Sequence, residues 1–148
     1  MIIDIKKLKK AGITSQDFEF DFDFPAERME GTSMKIINPC KISGRVDVMD
    51  KEVYVDAKIR FVLSGQCFRC LKDTEKEIIA LFCEEYSERP VEDQYGFKSG
   101  LLNLTEGAEE AVLLNLPTTL LCREDCKGLC INCGADLNEG ECSCDKKN

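Results

Sequence analysis

Residues 42–70 read ISGRVDVMDKEVYVDAKIRFVLSGQCFRC. Gly44, Val46 and Val48 alternate up to Met49-Asp50-Lys51-Glu52, and Val53, Val55, Ala57, Ile59, Phe61 and Leu63 alternate on the way back. A period of two, apolar on one side and mostly charged on the other, predicts a β-hairpin with one buried face. The return strand runs directly into Cys67-Phe68-Arg69-Cys70. A CxxC pair at the end of a strand has the spacing of metal ligands, so the sheet is expected to carry two thiols at one end.

Upstream, FEFDFDF (18–24) alternates without exception, with Phe18, Phe20, Phe22 and Phe24 on one side and Glu19, Asp21 and Asp23 on the other. This predicts a strand with a buried aromatic face and a solvated acidic one, ended by Pro25. Residues 2–8 alternate weakly and suggest a short strand. Downstream, Ile78, Ala80 and Phe82 oppose Ile79, Leu81 and Cys83, and a strand that is apolar on both sides is expected at the centre of a sheet. Residues 84–100 are polar and broken by Pro90, Gly96 and Gly100, which reads as a long surface loop. Thr105 can N-cap a helix that Pro117 stops, with Ala108, Ala111 and Val112 on one face and Leu114 and Leu116 flanking it. The expected fold is α+β, a mainly antiparallel sheet with one helix near residues 105–116 and a cysteine-rich zinc-knuckle tail. Residues 1–121 would form a β-rich domain bearing the 67–70 knuckle, with a metal-binding tail over 122–148 packed on it.

That tail holds CREDCKGLCINCGADLNEGECSC at 122–144, six of the ten cysteines. Cys130-x2-Cys133 followed by Gly134 is a knuckle turn, in which backbone amides point at a bound sulfur and glycine relieves the tight turn. Eight cysteines fall into pairs: Cys67/Cys70, Cys122/Cys126, Cys130/Cys133 and Cys142/Cys144. The economical partition is two four-thiolate sites, Cys67/Cys70 with Cys122/Cys126 and Cys130/Cys133 with Cys142/Cys144. One metal held by four of the six tail cysteines is the competing assignment, and thiolates suit iron as well as zinc. Cys40 and Cys83 lack partners at ligand spacing and read as buried small apolar residues. Phe68 and Arg69, between the first pair, are candidates to meet a partner or to pack the loop.

Composition narrows the function. The chain has no histidine, which excludes Ser-His and Cys-His catalysis, HExxH metalloproteases and imidazole-bound zinc. The sulfur-rich sites leave no evident open metal position, so a catalytic metal is not expected. A net charge of −8 would fall to about −12 once eight thiolates held two divalent ions, which disfavours bulk electrostatic binding of nucleic acid. Two local basic clusters stand against that balance: Lys6, Lys7, Lys9 and Lys10, and the Lys146-Lys147 pair. The opening MIIDIKKLKKAG lacks a signal-peptide apolar run, and AVLLNLPTTLL is broken by Asn115 and Pro117, so no membrane span is expected. Unpaired thiols at metal spacing then suggest a cytoplasmic protein.

The order of parts resembles the YceD family, the large ribosomal RNA subunit accumulation proteins. The resemblance rests on the Gly44-containing β region, CFRCL at 67–71, the helix ending Leu116-Pro117 and the GLCINCGADLN phrase, and runs from about residue 15 to the end. It implies a noncatalytic factor for large-subunit rRNA accumulation and ribosome assembly, with assembly components, protein or rRNA, as partners and no small-molecule substrate. Some members resemble only the knuckle and the Cys122/Cys126 region, which agrees with a common first site and an added second one. A redox-switched zinc chaperone and a thiol oxidoreductase built on Cys67-x2-Cys70 are the alternatives. The first lacks a long linker that oxidation would release, and the second lacks the helix N-terminus that lowers a catalytic thiol's pKa.

Overall fold

The structure is a computed structural model and describes residues 1–92 and 94–144. The elements run β1 (Ile2–Asp4), α1 (Ile5–Lys10), β2 (Ser15–Phe22), a 3₁₀ turn (Ala26–Met29), β3 (Met34–Met49), β4 (Glu52–Gln66), β5 (Asp73–Ser87), β6 (Tyr95–Gly96), β7 (Leu101–Asn103) and α2 (Thr105–Leu114). Five strands form one sheet in the order β2-β3-β4-β5-β6, and β1 and β7 form a separate pair. β2 lies antiparallel to β3 with Phe18 opposite Gly44, β1 lies antiparallel to β7, and β6 joins β5 in parallel. The fold is thus mainly antiparallel sheet, with α2 the longer of the two α-helices among the described residues.

The chain divides into two compact units. One comprises Met1–Phe24, Asn38–Phe61 and Glu77–Leu116, the other Pro25–Ile37, Val62–Lys76 and Pro117–Asn148. In the first, the hairpin pattern is realised: Ile42, Val46, Val53, Val55, Ala57, Ile59 and Phe61 are buried, and Phe18 and Phe24 are buried while Glu19, Asp21 and Asp23 face solvent. α2 brings Gly107, Ala108, Ala111 and Val112 inward. A Cβ at Gly107 would lie 2.8 Å from the Tyr86 Oη and 3.0 Å from the Phe82 ring, so the missing side chain is what lets the helix approach these aromatic groups. In the second unit, Leu63, Cys67, Cys70, Leu120 and Cys126 are buried.

Several expectations change. Only residues 2–4 of the opening are strand: the Asp4 side chain accepts the Lys7 N–H at 2.8 Å and caps α1, whose last turn carries Lys7, Lys9 and Lys10 where the helix dipole favours cations. That basic cluster is not wholly free, because Lys9 bonds the Asp50 carbonyl and pairs with Glu88. Lys146 and Lys147 lie outside the described residues. β5 is not buried on both faces; Ala80 and Phe82 are inside, but Ile79 and Leu81 are 50% and 65% exposed and Cys83 is exposed. Its one deep face is the one that α2 meets at Phe82 and Tyr86, while the face of Ile79, Leu81 and Cys83 is open to solvent.

The polar 84–100 segment is not a plain surface loop either, since β5 continues to Ser87, β6 docks on it, and Tyr86, Ser87 and Phe97 are buried. Thr105 begins α2 rather than capping it. Its hydroxyl accepts a bond from the Met1 nitrogen, and its own N–H is taken by the Asn103 side chain. α2 ends at Leu114, which is 85% exposed instead of flanking the core.

At Gly44 a Cβ would collide with the Asp56 carbonyl and the Ala57 Cβ, both backbone or near-backbone groups of the facing strand. Gly44→Ala is therefore expected to lower the unfolding free energy by about 1–3 kcal/mol in denaturant titrations, as overpacking does in a filled interior.

Candidate metal centres

Both knuckles are built by the same backbone device, and all of their residues belong to one compact unit. At the first, the Cys67 N–H donates to the Lys72 carbonyl (2.8 Å) and the Leu71 N–H to the Cys67 carbonyl (2.9 Å). At the second, the Cys130 N–H donates to the Ala135 carbonyl (2.8 Å) and the Gly134 N–H to the Cys130 carbonyl (2.8 Å). Each loop is closed at the same two offsets, and each turns through a left-handed residue just after the second cysteine: Leu71 at φ 61° and Gly134 at φ 75°. Glycine adopts that region freely, while an L side chain costs roughly 1–2 kcal/mol there. The first knuckle is held open by its surroundings despite that cost.

The first knuckle meets the tail. The Phe68 N–H donates to the Leu120 carbonyl, the Leu129 N–H to the Arg69 carbonyl, and the Arg69 guanidinium to the carbonyls of Glu124 and Cys126. Arg69 thus ties the knuckle to the tail from both its backbone and its side chain, while Phe68 is 73% exposed. These bonds bring Cys67, Cys70, Cys122 and Cys126 together with all four sulfurs within 4.8 Å of one another. Cys67 and Cys126 stand 3.8 Å apart, and Cys70 and Cys122 3.7 Å. A tetrahedron with ~2.3 Å metal–sulfur bonds has an edge of about 3.8 Å, so the spacing fits a thiolate-bound ion. Three of the four are buried and Cys122 is exposed.

The second group, Cys130, Cys133, Cys142 and Cys144, meets the same 4.8 Å limit, with Cys130 and Cys142 closest at 3.4 Å. Its sulfurs come from one short local loop and all lie partly or fully exposed. Cys40 and Cys83 join neither group. Cys40 is buried, and that burial pushes its thiol up to about 11; Cys83 is exposed, contrary to expectation, and donates to the Asp56 carboxylate at 3.6 Å.

The electrostatics of the two groups run in parallel. Burial opposes ionisation of Cys67, yet the amides of Cys122, Cys70 and Arg69 outweigh it and bring the thiol down to about 6. The amides of Cys133 and Asn132 bring Cys130 to about 6. At both Cys67 and Cys130 amide N–H groups that point at the sulfur favour the thiolate, those at Cys67 coming from the tail at Cys122 as well as from its own turn.

Three side chains that spacing alone did not single out hold the tail loop in shape. Asn138 accepts the Lys127 N–H and a bond from Arg123, and donates its amide to the Cys126 sulfur (3.4 Å) and the Asp136 carboxylate (2.7 Å). It therefore supports a sulfur of the first group from a loop that spans the second. Lys72, two residues after Cys70, pairs with Asp136 at 2.7 Å and Glu139 at 2.8 Å. The signal of Asp136 and Asn138 in the sequence is the Asp-x-Asn of GADLN, a pattern whose side chains fold back on nearby backbone amides, and Lys72 has none.

The eight thiols suit a soft or borderline divalent ion, zinc or iron; with no imidazole in the chain, sulfur dominates both groups. The first CxxC closes a strand-to-strand turn, so the helix N-terminus of a thiol oxidoreductase is absent from it. No helix among the described residues is long and apolar enough to cross a membrane.

Comparison with known proteins places these features in context. The family model for the large ribosomal RNA subunit accumulation protein YceD matches residues 55–148, which include all eight grouped cysteines. The chloroplastic "Large ribosomal RNA subunit accumulation protein YCED homolog 1" of Arabidopsis thaliana is 24% identical, covering 74% of this chain and 44% of its own. The protein of the same name from Zea mays is 22% identical, covering 86% and 56%. An uncharacterized protein of Mycobacterium leprae is 31% identical, covering 67% and 49%. The chain spans about half the length of these curated relatives. No solved structure matches.

Two outcomes follow from the knuckle geometry. Gly134→Ala places its Cβ in open space, so the expected loss of about 1–2 kcal/mol in denaturant unfolding is a backbone effect, whereas Leu71→Gly should leave stability unchanged or slightly raised. Lys72, then the Asn138 amide, holds the Asp136 carboxyl at about 2, below its ordinary 3.8. A depressed carboxyl contributes stability that is present above the ordinary value and is lost as pH falls through the folded one, here from about 4 down to about 2. Carboxyl NMR titration of Lys72→Gln should find Asp136 moved upward toward 3.8.

Proposed function

Because the chain belongs to the YceD family of large ribosomal RNA subunit accumulation proteins, we propose that it is a noncatalytic, zinc-binding factor that supports accumulation of the large-subunit rRNA. The observation that carries this reading is the family match over 55–148, together with two four-cysteine groups inside it. Cys67, Cys70, Cys122 and Cys126 would hold one zinc ion, and Cys130, Cys133, Cys142 and Cys144 a second. Bound zinc supplies fixed tetrahedral crosslinks and no redox chemistry, and structural zinc contributes apparent values on the order of 10–16 kcal/mol in small zinc-finger peptides at neutral pH.

What the chain's own residues do is hold shape. Knuckle amides stabilise the thiolates, Arg69 fastens the knuckle to the tail, and Asn138 donates to Cys126 so that one of that sulfur's lone pairs is already engaged. Nothing in either group supplies a general base or an open ligand position, which suits an assembly factor better than an enzyme. Its partners on this reading are large-subunit assembly components, protein or rRNA, met in the cytoplasm. The net charge of −8 favours a basic protein partner over bare RNA.

Native mass spectrometry of chelator-free protein should count two zinc ions. Cys130→Ser should lose one and loosen only the tail, including the loop that carries Asp136 and Asn138, while Cys67→Ser should lose the other and detach the tail from the first knuckle, weakening amide protection over residues 117–129. Loss of both ions in either variant would mean that the eight cysteines act as one site. Depletion of the protein should lower the ratio of large to small rRNA, restored by the wild-type chain; an unchanged ratio would overturn the functional reading.

A further inference from the structure

The outer edge of β5 is left open over most of its length. β6 pairs with it only at Tyr86 and Ser87, the preceding Gln94 donates to the Glu85 carboxylate (2.7 Å), and between Glu77 and Glu84 no strand among the described residues takes up that edge. Proteins usually blunt such an edge with lysines, proline, bulges or a very short strand. β5 is 15 residues long, and its stretch from 77 to 85 reads EIIALFCEE, with no lysine, arginine or proline. On its solvent face Ile79 and Leu81 are 50% and 65% exposed. The opposite edge strand, β2, is managed differently, since Glu19 and Asp21 face solvent there.

We propose that this edge is a docking site for an extended segment of a partner protein, apolar along its length and basic at the end that meets Glu77, which adds to the sheet as a further strand beside β5. Strand addition draws affinity from main-chain hydrogen bonds and specificity from alternate side chains. An added strand would lie directly against Glu77, Ile79, Leu81 and Cys83 on the solvent face, while Glu85 is already met by the Gln94 side chain; cross-strand neighbours of opposite charge stabilise while like charges oppose. Lysine or arginine opposite Glu77, next to aliphatic residues opposite Ile79 and Leu81, is the complement that this row demands. A second copy of the chain is a poor occupant. Two EIIALFCEE strands side by side would gather six carboxylates and no cation, between molecules that each carry −8. The chain already shows that the edge accepts a strand, because β6 adds to it in parallel at Tyr86 and Ser87. The inference stands apart from the role in rRNA accumulation, since it rests on the sheet edge alone.

The test is a titration of the isotope-labelled full chain with the capped peptide Lys-Thr-Val-Thr-Val-Thr-Val-Thr-Lys, whose lysines and valines share one strand face in either direction. Amide shifts confined to residues 77–85, slowed exchange of those amides and affinity that falls with salt are expected. Leu81→Lys, at an exposed position, should weaken binding at least tenfold, with Ile79→Thr as a second variant if the first fails to fold. A peptide with glutamate in place of both lysines should also bind at least tenfold more weakly. Absence of any change up to about 1 mM peptide, shifts located elsewhere, or equal binding of the acidic peptide would overturn the proposal. So would a concentration-dependent dimer in sedimentation equilibrium that Leu81→Lys abolishes, because the edge would then belong to a second copy.

Discussion

Cys70 and Cys122 are 52 positions apart in the chain and 3.7 Å apart at their sulfurs. Closing so long a loop costs entropy that grows only slowly with its length, but the ends must be held by something stronger than two small side chains. Backbone bonds from Phe68 and Leu129 and the two-sided grip of Arg69 provide the hydrogen-bonded part of that closure. On the proposed ligand role, a metal ion provides the rest, and the second unit is organised around that junction. Among its described residues the large buried apolar side chains are Met29, Leu63 and Leu120; Cys67, Cys70 and Cys126 form a buried cluster with Leu121 and Leu129 packed against it.

The two cysteine groups share a turn but not a setting. The first is assembled from distant segments and mostly buried; the second is local and more exposed. Asn138 and Asp136 sit in the loop between Cys133 and Cys142 and bond toward Cys126 and Lys72, so the loop that frames the second group also braces the first. That sharing gives a physical reason for the second knuckle to follow Cys126 closely in sequence: its loop supplies supports that the first group would otherwise lack.

The first unit obeys ordinary sheet physics. Its hairpin buries one face, α2 rests close to Phe82 and Tyr86 because residue 107 is glycine, and Gly44 allows close approach of the neighbouring strand. The departures from expectation have the same origin. Ile79, Leu81, Cys83 and Leu114 are apolar or weakly polar residues at positions that a periodic pattern assigns to an interior, yet no element among the described residues buries them. A pattern reports which residues share a side of an element, and a further element must be present for that side to be interior.

Alternation in residues 42–63 and 18–24 was enough to determine the hairpin and the acidic-faced strand, because a period of two has one structural meaning when its faces differ in polarity. Cysteine spacing was enough to pair the thiols within each turn, since a CxxC loop is closed by its own backbone bonds. Which pairs meet was decided in three dimensions, where the path from Cys70 to Cys122 brings four sulfurs within 4.8 Å. So were the capping of α1 by Asp4, the docking of Tyr95 and Gly96 on β5, and the bonds of Asn138, Lys72 and Asp136. Each of these joins groups whose partner is fixed by packing, and polar side chains carry no periodicity from which that partner can be read.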